Sequence, residues 1–454
     1  MKSAIIMAAG KGTRMKSETP KVMHEICQKP MINHILDQLD KIKVEKIVTI
    51  VGYGHEIIET ALQDRCQFAI QDPPRGTGHA VAQATQLAHE TGLTLVANGD
   101  CPRIQNITYQ RMFDECKDVQ MTVLTAVLVD PKFYGRIIRN QEGFIEKIVE
   151  FKDCTEEEKK ICEINTGIYC FDNRTLFDNL SEIKNNNNQN EYYITDMVQI
   201  LNQKGMKVRA VILKDPTEAE GINDKVELAE ANRWMQQKIN EHWMREGVTL
   251  IHPDATYIGA DVKLEEDVII YPNCTLQGKT VIKKGTTLLP QCFLKDAIIG
   301  ERCVIDSSRI TDSEIKNDVV VGPFAHIRME SVVEDKNRIG NFVELKKTFV
   351  GLDSRCAHLT YLGDTIVGSK VNIGCGVVTV NYDGKNKSKT LIKDGSFIGS
   401  NVNLIAPVTI GENAVVAAGS TINRDVEDES MAIARSQQEN KQGYGLRYKN
   451  KEKK

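Results

Sequence analysis

The chain has 454 residues, of which 41% are hydrophobic and 26% are charged, and its formal net charge is −4 at pH 7. At about 100–200 residues per domain, this length predicts two or three domains of an ordinary globular kind. The nearly balanced charge excludes a general affinity for nucleic acid or for an anionic membrane, so phosphate binding has to come from local clusters. We therefore expect small charged metabolites as ligands, and neither nucleic acid nor a membrane as a partner.

The start of the chain and its cysteines indicate a cytoplasmic protein. No apolar run approaches the roughly 18 residues of a membrane span, and the first residues lead into a glycine-rich motif instead of a cleavable signal. The 12 cysteines never adopt the CxxC spacing of many zinc sites. We interpret them as reduced, mostly buried thiols.

The first half of the chain alternates short β-branched runs with amphipathic stretches. This alternation is typical of a Rossmann-like α/β domain with a mixed, mostly parallel sheet, in which ligands bind at the carboxyl ends of the strands. Strands are predicted over residues 3–7, 46–51, 93–97, 121–128 and 207–213, and helices over 31–39 and 78–88.

A polar amphipathic stretch over residues 224–247 closes with a glycine and predicts a helical linker. It separates a first domain at residues 1–223 from a second at 248–454, which includes a C-terminal tail.

From residue 258 onward, an aliphatic residue recurs at every sixth position. This column is Ile258, Leu264, Ile270, Leu276, Ile282, Leu288 and Leu294, and an offset column of small or β-branched residues is Val262, Val268, Cys274, Thr280, Thr286 and Cys292. Neither a helix nor a strand has a period of six, whereas one flat face of a triangular coil does, with three such units per turn. The pattern resembles the left-handed parallel β-helix of hexapeptide repeats.

The repeat is interrupted in three places. Its phase slips between Leu294 and Ile299 and again from Ile305 to Ile315, which predicts insertions or tightened corners. Residues 381–391 carry the sequence NYDGKNKSK, which is too polar for a coil face and predicts a projecting loop. Solenoids and other scaffolds place functional residues on such loops.

A glycine-rich turn, AAGKGTRM at residues 8–15, follows the first predicted strand. Glycine lets backbone amides approach a phosphate chain, and basic side chains supply the charge that a polyanion requires. Alone, the motif is equally a strand-to-helix turn with solvated bases. With the Pro-Lys pair that follows, it resembles the nucleoside-diphosphate-sugar pyrophosphorylases. The resemblance implies nucleotide contacts from Ala8, Ala9 and Gly10, and catalytic phosphate contacts from Arg14 and Lys21.

Further matches follow in the order expected for this family. Asp100, in the sequence NGD after a predicted strand, matches the magnesium-binding aspartate, and Asn223 in GIND resembles the second metal ligand. Two oxygen ligands, with water and phosphate in the remaining positions, suit Mg²⁺. The remaining positions, which imply contacts with the uracil of UTP and with the sugar, are Gln71, Gly76, Thr77, Gly135, Glu150 and Asn165.

Each of these residues taken singly is also compatible with a turn cap or a surface charge. Two positions depart from the family pattern: Asn98 stands where an aromatic residue is frequent, and Arg103 follows Pro102 where leucine is usual.

The second half carries GNFVELKK at 340–347, HLTYLGD at 358–364 and NYDG at 381–384. With the first half, these motifs resemble the bifunctional N-acetylglucosamine-1-phosphate uridyltransferase/glucosamine-1-phosphate acetyltransferase family over nearly the whole chain. The resemblance implies acetylation of glucosamine 1-phosphate by acetyl-CoA, followed by transfer of UMP from UTP to the product with release of pyrophosphate. It also implies a role in supplying UDP-N-acetylglucosamine for peptidoglycan and lipid A precursors, and a homotrimer.

Acetylation of an amino sugar requires a base that removes a proton before the nitrogen attacks a thioester. His358 matches the catalytic base of the family, and histidine has a suitable pKa; we predict that Glu344 orients its ring. Arg328 and Lys346 match positions that bind the sugar phosphate, and Tyr361 and Asn372 match positions that bind the sugar. The acetyl-CoA positions are Cys375, where alanine is usual, Asn381, Tyr382, Lys387, Ser400, Ala418 and Arg435. Lys387 is expected to reach CoA phosphates from a neighbouring subunit.

Two other interpretations stay open at this point. The β-helix could serve only as a trimer-forming scaffold for the nucleotidyltransferase, which predicts no release of CoA from acetyl-CoA. The whole chain could also be a non-enzymatic module that senses sugar nucleotides, which predicts no release of pyrophosphate either.

Overall fold

The computed structural model describes residues 1–187 and 189–449, so that the end of the predicted C-terminal tail, residues 450–454, lies outside the described residues. The chain divides into two compact units, Met1–Met235 and Gln236–Lys454. Within the described part of the chain, no helix combines the length and the apolar character that crossing a membrane requires.

The first unit is an α/β structure. Its strands are β1 (Lys2–Met7), β2 (Glu25–Ile26), β3 (Lys29–Pro30), β4 (Lys46–Val51), β5 (Gln67–Ile70), β6 (Leu93–Asn98), β7 (Met121–Val127), β8 (Arg136–Arg139), β9 (Ile145–Val149), β10 (Glu163–Asp172) and β11 (Val208–Ile212). Its helices are α1 (Met31–Lys41), α2 (His55–Leu62), α3 (Thr77–Ala82), α4 (Asn106–Glu115), α5 (Asn173–Asn179) and α6 (Asp196–Gln203), and α7 (Lys225–Arg245) continues into the second unit.

The main sheet has the strand order β11-β7-β10-β6-β1-β4-β5, and β8 and β9 extend it beside β10. All five strands predicted from the sequence are present as β1, β4, β6, β7 and β11. Most strands of the sheet run in one direction, because only β10 runs against its neighbours β6, β7 and β8, and β9 runs against β8. Four consecutive residues of β1 are buried, as expected for a parallel strand whose two faces are both covered. Helix α3 is shorter than predicted and is followed by a 3₁₀ turn, Thr85–Leu87.

The second unit is a parallel β-helix of hexapeptide repeats with three faces. The strands of the first face are Thr249–Leu250, Ile269–Ile270, Thr287–Leu288, Val304–Ile305, Val320–Val321, Asn372–Ile373, Phe397–Ile398, Val415–Val416 and Met431–Ala432. Those of the second are Tyr257–Ile258, Thr275–Gln277, Phe293–Lys295, Arg309–Thr311, His326–Arg328, Val378–Val380, Asn403–Ile405 and Thr421–Ile422. Those of the third are Lys263–Leu264, Val281–Ile282, Ile298–Ile299, Glu314–Ile315, Val332–Val333, Phe349–Val350, Thr365–Val367, Thr390–Ile392 and Val408–Ile410.

Two longer strands, Arg338–Lys346 and Arg355–Gly363, run across the corner between the first two faces. A short helix, α8 (Tyr444–Lys449), follows the last coil.

The length of a coil is read from the pairing of strands on one face. Ile258 lies beside Leu276, 18 residues later, which is three hexapeptides. Ile299 follows its partner Ile282 by 17 residues and precedes its partner Ile315 by 16. The two phase slips in the sequence are therefore tightened corners.

One coil is much longer than the others. On the third face Thr365 pairs with Thr390, 25 residues later, and the extra residues form the predicted projecting loop. Within this loop Tyr382 and Lys387 form an antiparallel bridge. The Asp383 carboxylate accepts hydrogen bonds from the backbone amides of Lys385 and Asn386 at 2.8 and 2.6 Å. The loop is thus a small folded hairpin.

The core of the β-helix is a stack of aliphatic side chains. Leu276, Leu294 and Ile310 lie above one another in pairing register, and all three are fully buried. Burying such a side chain contributes about 1.5–3 kcal/mol. Each coil is stabilised mainly by its neighbours, so the stack tolerates changes of coil length as long as these residues remain in register.

Candidate active sites

The first site forms where β1 and β6 end. These strands pair in parallel with Met7 opposite Asn98, and the amide of Gly99 donates to the carbonyl of Met7 at 2.9 Å. The glycine-rich turn after β1 and the Asp100 loop after β6 therefore lie side by side at the carboxyl edge of the sheet.

Two cationic side chains and two side chains with oxygen acceptors converge at this edge. The Lys21 ammonium pairs with the Asp100 carboxylate and donates to Asn223 Oδ1 at 2.7 Å. Arg14 Nη2 donates to the same Asn223 oxygen at 2.8 Å. Because Asp100 and Asn223 both bind one ammonium, their oxygens point to a common cationic position and lie close enough to share an ion.

The donor set fits the predicted metal. No cluster of three or more His, Cys, Asp or Glu side chains that could hold a metal ion occurs within residues 1–187 and 189–449. A site with one carboxylate and one amide oxygen suits Mg²⁺, which commonly keeps several waters and binds substrate phosphates.

Lys21 is placed by a close approach to the glycine-rich turn. Gly12 has a left-handed φ of 62°, and a Cβ atom there would lie 2.7 Å from Cβ of Lys21. Any side chain at position 12 would therefore push Lys21 away from its partners as well as strain the backbone.

Asn223 is placed by the start of α7. The backbone amide of Asn223 donates to the Glu227 carboxylate at 2.6 Å. The Asp224 carboxylate accepts from the backbone amides of Val226 and Glu227 at 2.9 Å and caps the helix. The amide of Ile222 also donates to the carbonyl of Asp100 at 3.1 Å. The two loops that carry the metal-ligand candidates are thus joined directly.

The predicted uracil-reading segment is a packed turn. Gln71 is buried, and its Nε2 donates to the carbonyl of Gly76 at 3.0 Å and lies 3.1 Å from His79 Nδ1. Gly76 has a φ of 104°, and a Cβ atom there would lie 2.6 Å from the carbonyl oxygen of Tyr192. The Thr77 hydroxyl accepts from the amide of Ile194 at 3.0 Å. The chain around residue 192 therefore fixes this turn.

Two of the predicted sugar-binding residues, Glu150 and Asn165, line a cavity of about 210 Å³ together with Thr77. Gly135 lies beside Glu150 and accepts from the amide of Asn165 at 2.9 Å. Burial raises the pKa of the Glu150 carboxyl, and Asp153 and Asp196 raise it further.

One of the cavity residues that the sequence did not predict is Tyr193, whose hydroxyl is buried and lies beside Gln189. The paired tyrosines after a polar loop were the available signal. Asn98, which departs from the family pattern, lines the same cavity. A Cβ atom on Gly167 would lie 2.5 Å from Nδ2 of Asn98, so a glycine is required beside this amide.

The second site begins at the corner between the first two faces of the β-helix. His358 is exposed and lies opposite Asn341 on the preceding coil, with its Nδ1 at 2.9 Å from Asn341 Oδ1. An amide oxygen only accepts, so Nδ1 carries the proton and Nε2 has a free lone pair. This tautomer leaves Nε2 as a base that faces solvent.

Within one chain, Glu344 does not contact the His358 ring. Its carboxylate accepts from Nε and Nη2 of Arg328 at 2.9 and 2.5 Å, and Asn341 holds the His358 ring instead. Glu344 points outward from the middle of a face, whereas His358 stands at a corner.

Several predicted acetyl-CoA residues form an exposed column above His358. Neighbouring coils are joined along this corner by hydrogen bonds from Asn401 N to the carbonyl of Cys375 at 2.7 Å and from Gly419 N to that of Ser400 at 2.8 Å. Ala418 is exposed beside them. Further along the same corner lies Arg435, whose Cδ is 3.9 Å from a Cβ built on Gly419. Small residues along this edge leave room for an extended ligand.

A cationic cluster lies at the other end of the second face. In the strand register, Arg328 lies beside Lys346 on the adjacent coil, and Glu344 lies beside Tyr361 on the coil after that. The neighbouring Lys387 ammonium of the projecting loop lowers the pKa of Lys346, with a contribution from burial. Two adjacent ammonium groups form a site for an anion.

Two other predicted residues frame the loop. Asn381 is buried and its Nδ2 donates to the Asp364 carboxylate at 2.5 Å, whereas Tyr382 is exposed. Asn372 is separated from this cluster, because it lies on the first face opposite Arg355.

Comparison with known proteins agrees with both units. The model of the nucleotidyl transferase family matches residues 3–244, and the model of the bacterial transferase hexapeptide, with six repeats, matches residues 389–424. The fold and the two sites thus define a nucleotidyltransferase joined to a hexapeptide transferase.

Curated relatives identify the family more closely. The chain is 49% identical over 444 residues to the bifunctional protein GlmU of Halalkalibacterium halodurans, covering 97% of this chain and 98% of the relative. It is 47% identical over 444 residues to that of Listeria monocytogenes, covering 97% of both chains. The chain belongs to the GlmU family, whose bifunctional enzymes join uridyl transfer and acetyl transfer in the synthesis of UDP-N-acetylglucosamine.

Proposed function

We propose that the sheet edge holding Lys21, Asp100 and Asn223 catalyses uridyl transfer and that the corner holding His358 catalyses acetyl transfer. The convergence of Asp100 and Asn223 on one cation carries the assignment of the first site. In this proposal residues 1–223 form the uridyltransferase domain, residues 224–247 the linker and residues 248–454 the acetyltransferase domain.

In the uridyl step an oxygen of N-acetylglucosamine 1-phosphate attacks the α-phosphorus of UTP. A new phosphorus–oxygen bond forms, the bond between the α- and β-phosphates breaks, and pyrophosphate leaves with the bonding electrons. Such a reaction depends on alignment and on neutralisation of charge. Lys21 and Arg14 neutralise the phosphates, and the glycine-rich turn of Ala8, Ala9 and Gly10 gives the triphosphate access to backbone amides.

Asp100 and Asn223 would hold Mg²⁺, which supplies further charge stabilisation when bound. Gln71 and the turn at Gly76 and Thr77 would contact uracil. Gly135, Glu150 and Asn165 would contact the sugar.

In the acetyl step Nε2 of His358 removes a proton from the amine of glucosamine 1-phosphate. The nitrogen attacks the thioester carbonyl, a carbon–nitrogen bond forms, the carbon–sulfur bond breaks, and CoA leaves as a thiol after protonation. Arg328 and Lys346 would bind the sugar phosphate, with Tyr361 and Asn372 on the sugar. Cys375, Asn381, Tyr382, Lys387, Ser400, Ala418 and Arg435 would bind acetyl-CoA.

We infer a homotrimer in which each acyl site combines residues of two copies. The corner with His358 and the cluster with Lys346 lie at opposite ends of one face, and Lys346 stands four positions after Phe342, which has a left-handed φ of 57° at that corner. At 3.3 Å per residue the separation is roughly 13 Å. This distance exceeds that between the amine and the phosphate on one sugar ring. Co-expression of His358→Ala with Lys346→Ala chains should restore acetyl transfer in mixed oligomers, and no restoration would contradict the shared site.

Assays of two products test the whole proposal. Purified protein should release CoA from acetyl-CoA and glucosamine 1-phosphate, and pyrophosphate from UTP and N-acetylglucosamine 1-phosphate. Pyrophosphate without CoA would support the β-helix as a scaffold, and absence of both products would support a sensing module. Because these substrates are metabolites of the cytoplasm, we place the enzyme there.

A further inference from the structure

Arg103 is a buried charge beside the first site. It is only 4% exposed, its Nη1 pairs with the Glu220 carboxylate and donates to the carbonyl of Thr217 at 3.3 Å, and its guanidinium lies 5.9 Å from the ring centroid of Trp234 on α7. Its Nε is buried and has no partner within the described residues. Burying an arginine this completely is costly, so its contacts call for an explanation.

Those contacts join the two loops that carry the proposed metal ligands. Arg103 follows Asp100 by three residues, and Glu220 precedes Asn223 by three. The same loops are joined by Ile222 N, which donates to the carbonyl of Asp100 at 3.1 Å. Arg103, Asp100, Glu220 and Asn223 all line one cavity of about 760 Å³.

We propose that Arg103 is a positioning residue that holds the Glu220–Asn223 segment against the Asp100 loop. Mg²⁺ requires near-ideal geometry with short metal–oxygen distances. Two ligands that stand 123 positions apart in the sequence meet this requirement only if their loops are fixed to each other. The inference rests on the proposed Mg²⁺ site, and it assigns Arg103 no contact with substrate.

An experiment can distinguish positioning by the Arg103–Glu220 ion pair from a role of Arg103 in packing alone. A residue of similar volume without charge, such as methionine, fills the space of Arg103 but cannot bind Glu220. Glu220 itself has a half-exposed side chain, at 51%, so replacing its carboxylate by an amide removes the ion pair without opening a hole in the core. If the ion pair positions the loops, Arg103→Met and Glu220→Gln should behave alike.

The experiment compares Arg103→Met, Glu220→Gln and their combination in the full-length enzyme. A matched control is Glu115→Gln, which breaks the Arg209–Glu115 ion pair of the same unit away from the cavity. The first readout is the Mg²⁺ concentration that gives half-maximal pyrophosphate release. The second is Mn²⁺ binding to the UTP complex, measured by electron paramagnetic resonance. The third is the fluorescence of Trp234 during metal titration in a Trp243→Phe background.

We expect Arg103→Met and Glu220→Gln each to raise two quantities by about 10-fold: the Mg²⁺ concentration for half-maximal pyrophosphate release and the Mn²⁺ concentration for half-saturation of the UTP complex. This is the size of effect seen when groups supporting a metal ligand are lost. Release of pyrophosphate at saturating Mg²⁺ and acetyl transfer should change little, and the double variant should be no worse than either single one. The control should match the wild type. The fluorescence response of Trp234 should shift to higher metal concentration in Glu220→Gln.

Three results would overturn the inference. A shift in Arg103→Met without one in Glu220→Gln would assign Arg103 to packing alone, and Glu220→Gln decides the question if Arg103→Met fails to fold. Unchanged metal binding in both variants of a metal-dependent enzyme would overturn the positioning role while leaving the proposed function intact. Wild-type pyrophosphate release that needs no divalent metal would remove the metal site itself.

Discussion

The two sites are assembled by different means. In the first unit Lys21 contacts Asp100 and Asn223, which lie 79 and 202 positions away in the sequence, on loops that meet only because the strands end at one edge. In the β-helix the partners His358 and Asn341 are one coil apart, at a separation of 17. Coil length alone thus places residues side by side in the solenoid, whereas the sheet unit needs the whole of its topology to do so.

The largest effect should come from Asp100→Ala, which removes the one carboxylate of the proposed metal site. We expect uridyl transfer to fall on the order of 10⁴-fold, because charge stabilisation at the phosphates is worth several kcal/mol. Acetyl transfer should persist, since Asp100 belongs to the other unit. Pyrophosphate and CoA release are measured on one preparation, and equal loss of both would point to unfolding instead of a local defect.

His358→Ala should have the converse effect. Loss of the general base should lower acetyl transfer by about 10³-fold, within the range for positioned acid–base catalysis. Uridyl transfer from added N-acetylglucosamine 1-phosphate should remain at the wild-type rate. Exogenous imidazole offers a check, because partial recovery of CoA release would show that the missing group is a base.

Asn341→Ala should weaken acetyl transfer by roughly 10-fold, the value of one well-placed hydrogen bond. The ring of His358 would lose the partner that fixes its tautomer, while its Nε2 would still reach the amine in a fraction of orientations. Glu344→Gln is the comparison variant. If Asn341 fixes the His358 ring, Asn341→Ala should alter the pH profile of kcat for acetyl transfer, whereas Glu344→Gln should leave that profile unchanged.

Glu150→Gln should produce the smallest effect, a gain of thermal stability. Burial, Asp153 and Asp196 raise the pKa of Glu150 above its ordinary value of 4.5. A raised pKa in the folded state stabilises the protein below the ordinary pKa, and this stabilisation is lost as the pH rises through the folded-state value.

The amide should therefore raise the melting temperature at pH 7, and the difference should shrink toward pH 4. The exposed Glu146 gives a control as Glu146→Gln. A lower melting temperature at pH 7 for Glu150→Gln would contradict the assigned cause, whereas KM for the sugar phosphate should rise in either case.

The partners of His358 and Lys21 show how far the sequence could lead. The period of six predicted the coil and its loop, but the slips in phase hid the 17-residue coils. Glu344, the predicted orienting residue, stands 14 positions before His358, which does not match the length of a coil. Counting 17 positions back from His358 leads to Asn341. In the first unit the motifs predicted which residues meet, because strand ends gather at one edge.

The contact between Arg103 and Glu220, 117 positions apart, had no such signal. It depends on how the last loop before α7 folds over the sheet. The antiparallel β10 was missed as well, because the shift of register between Asn165 and Tyr169 disturbs the alternation expected of a strand.

The 25-residue coil has a consequence for how this enzyme could change. The chain leaves the stack after Val380 and rejoins it at Thr390 in full register with the coils on either side. The length and charge of the hairpin between them can therefore change without displacing the column of aliphatic residues beneath it. Because the hairpin carries Asn381, Tyr382 and Lys387, exchanging it between relatives should change how the enzyme binds its acyl donor and leave the coils beneath intact.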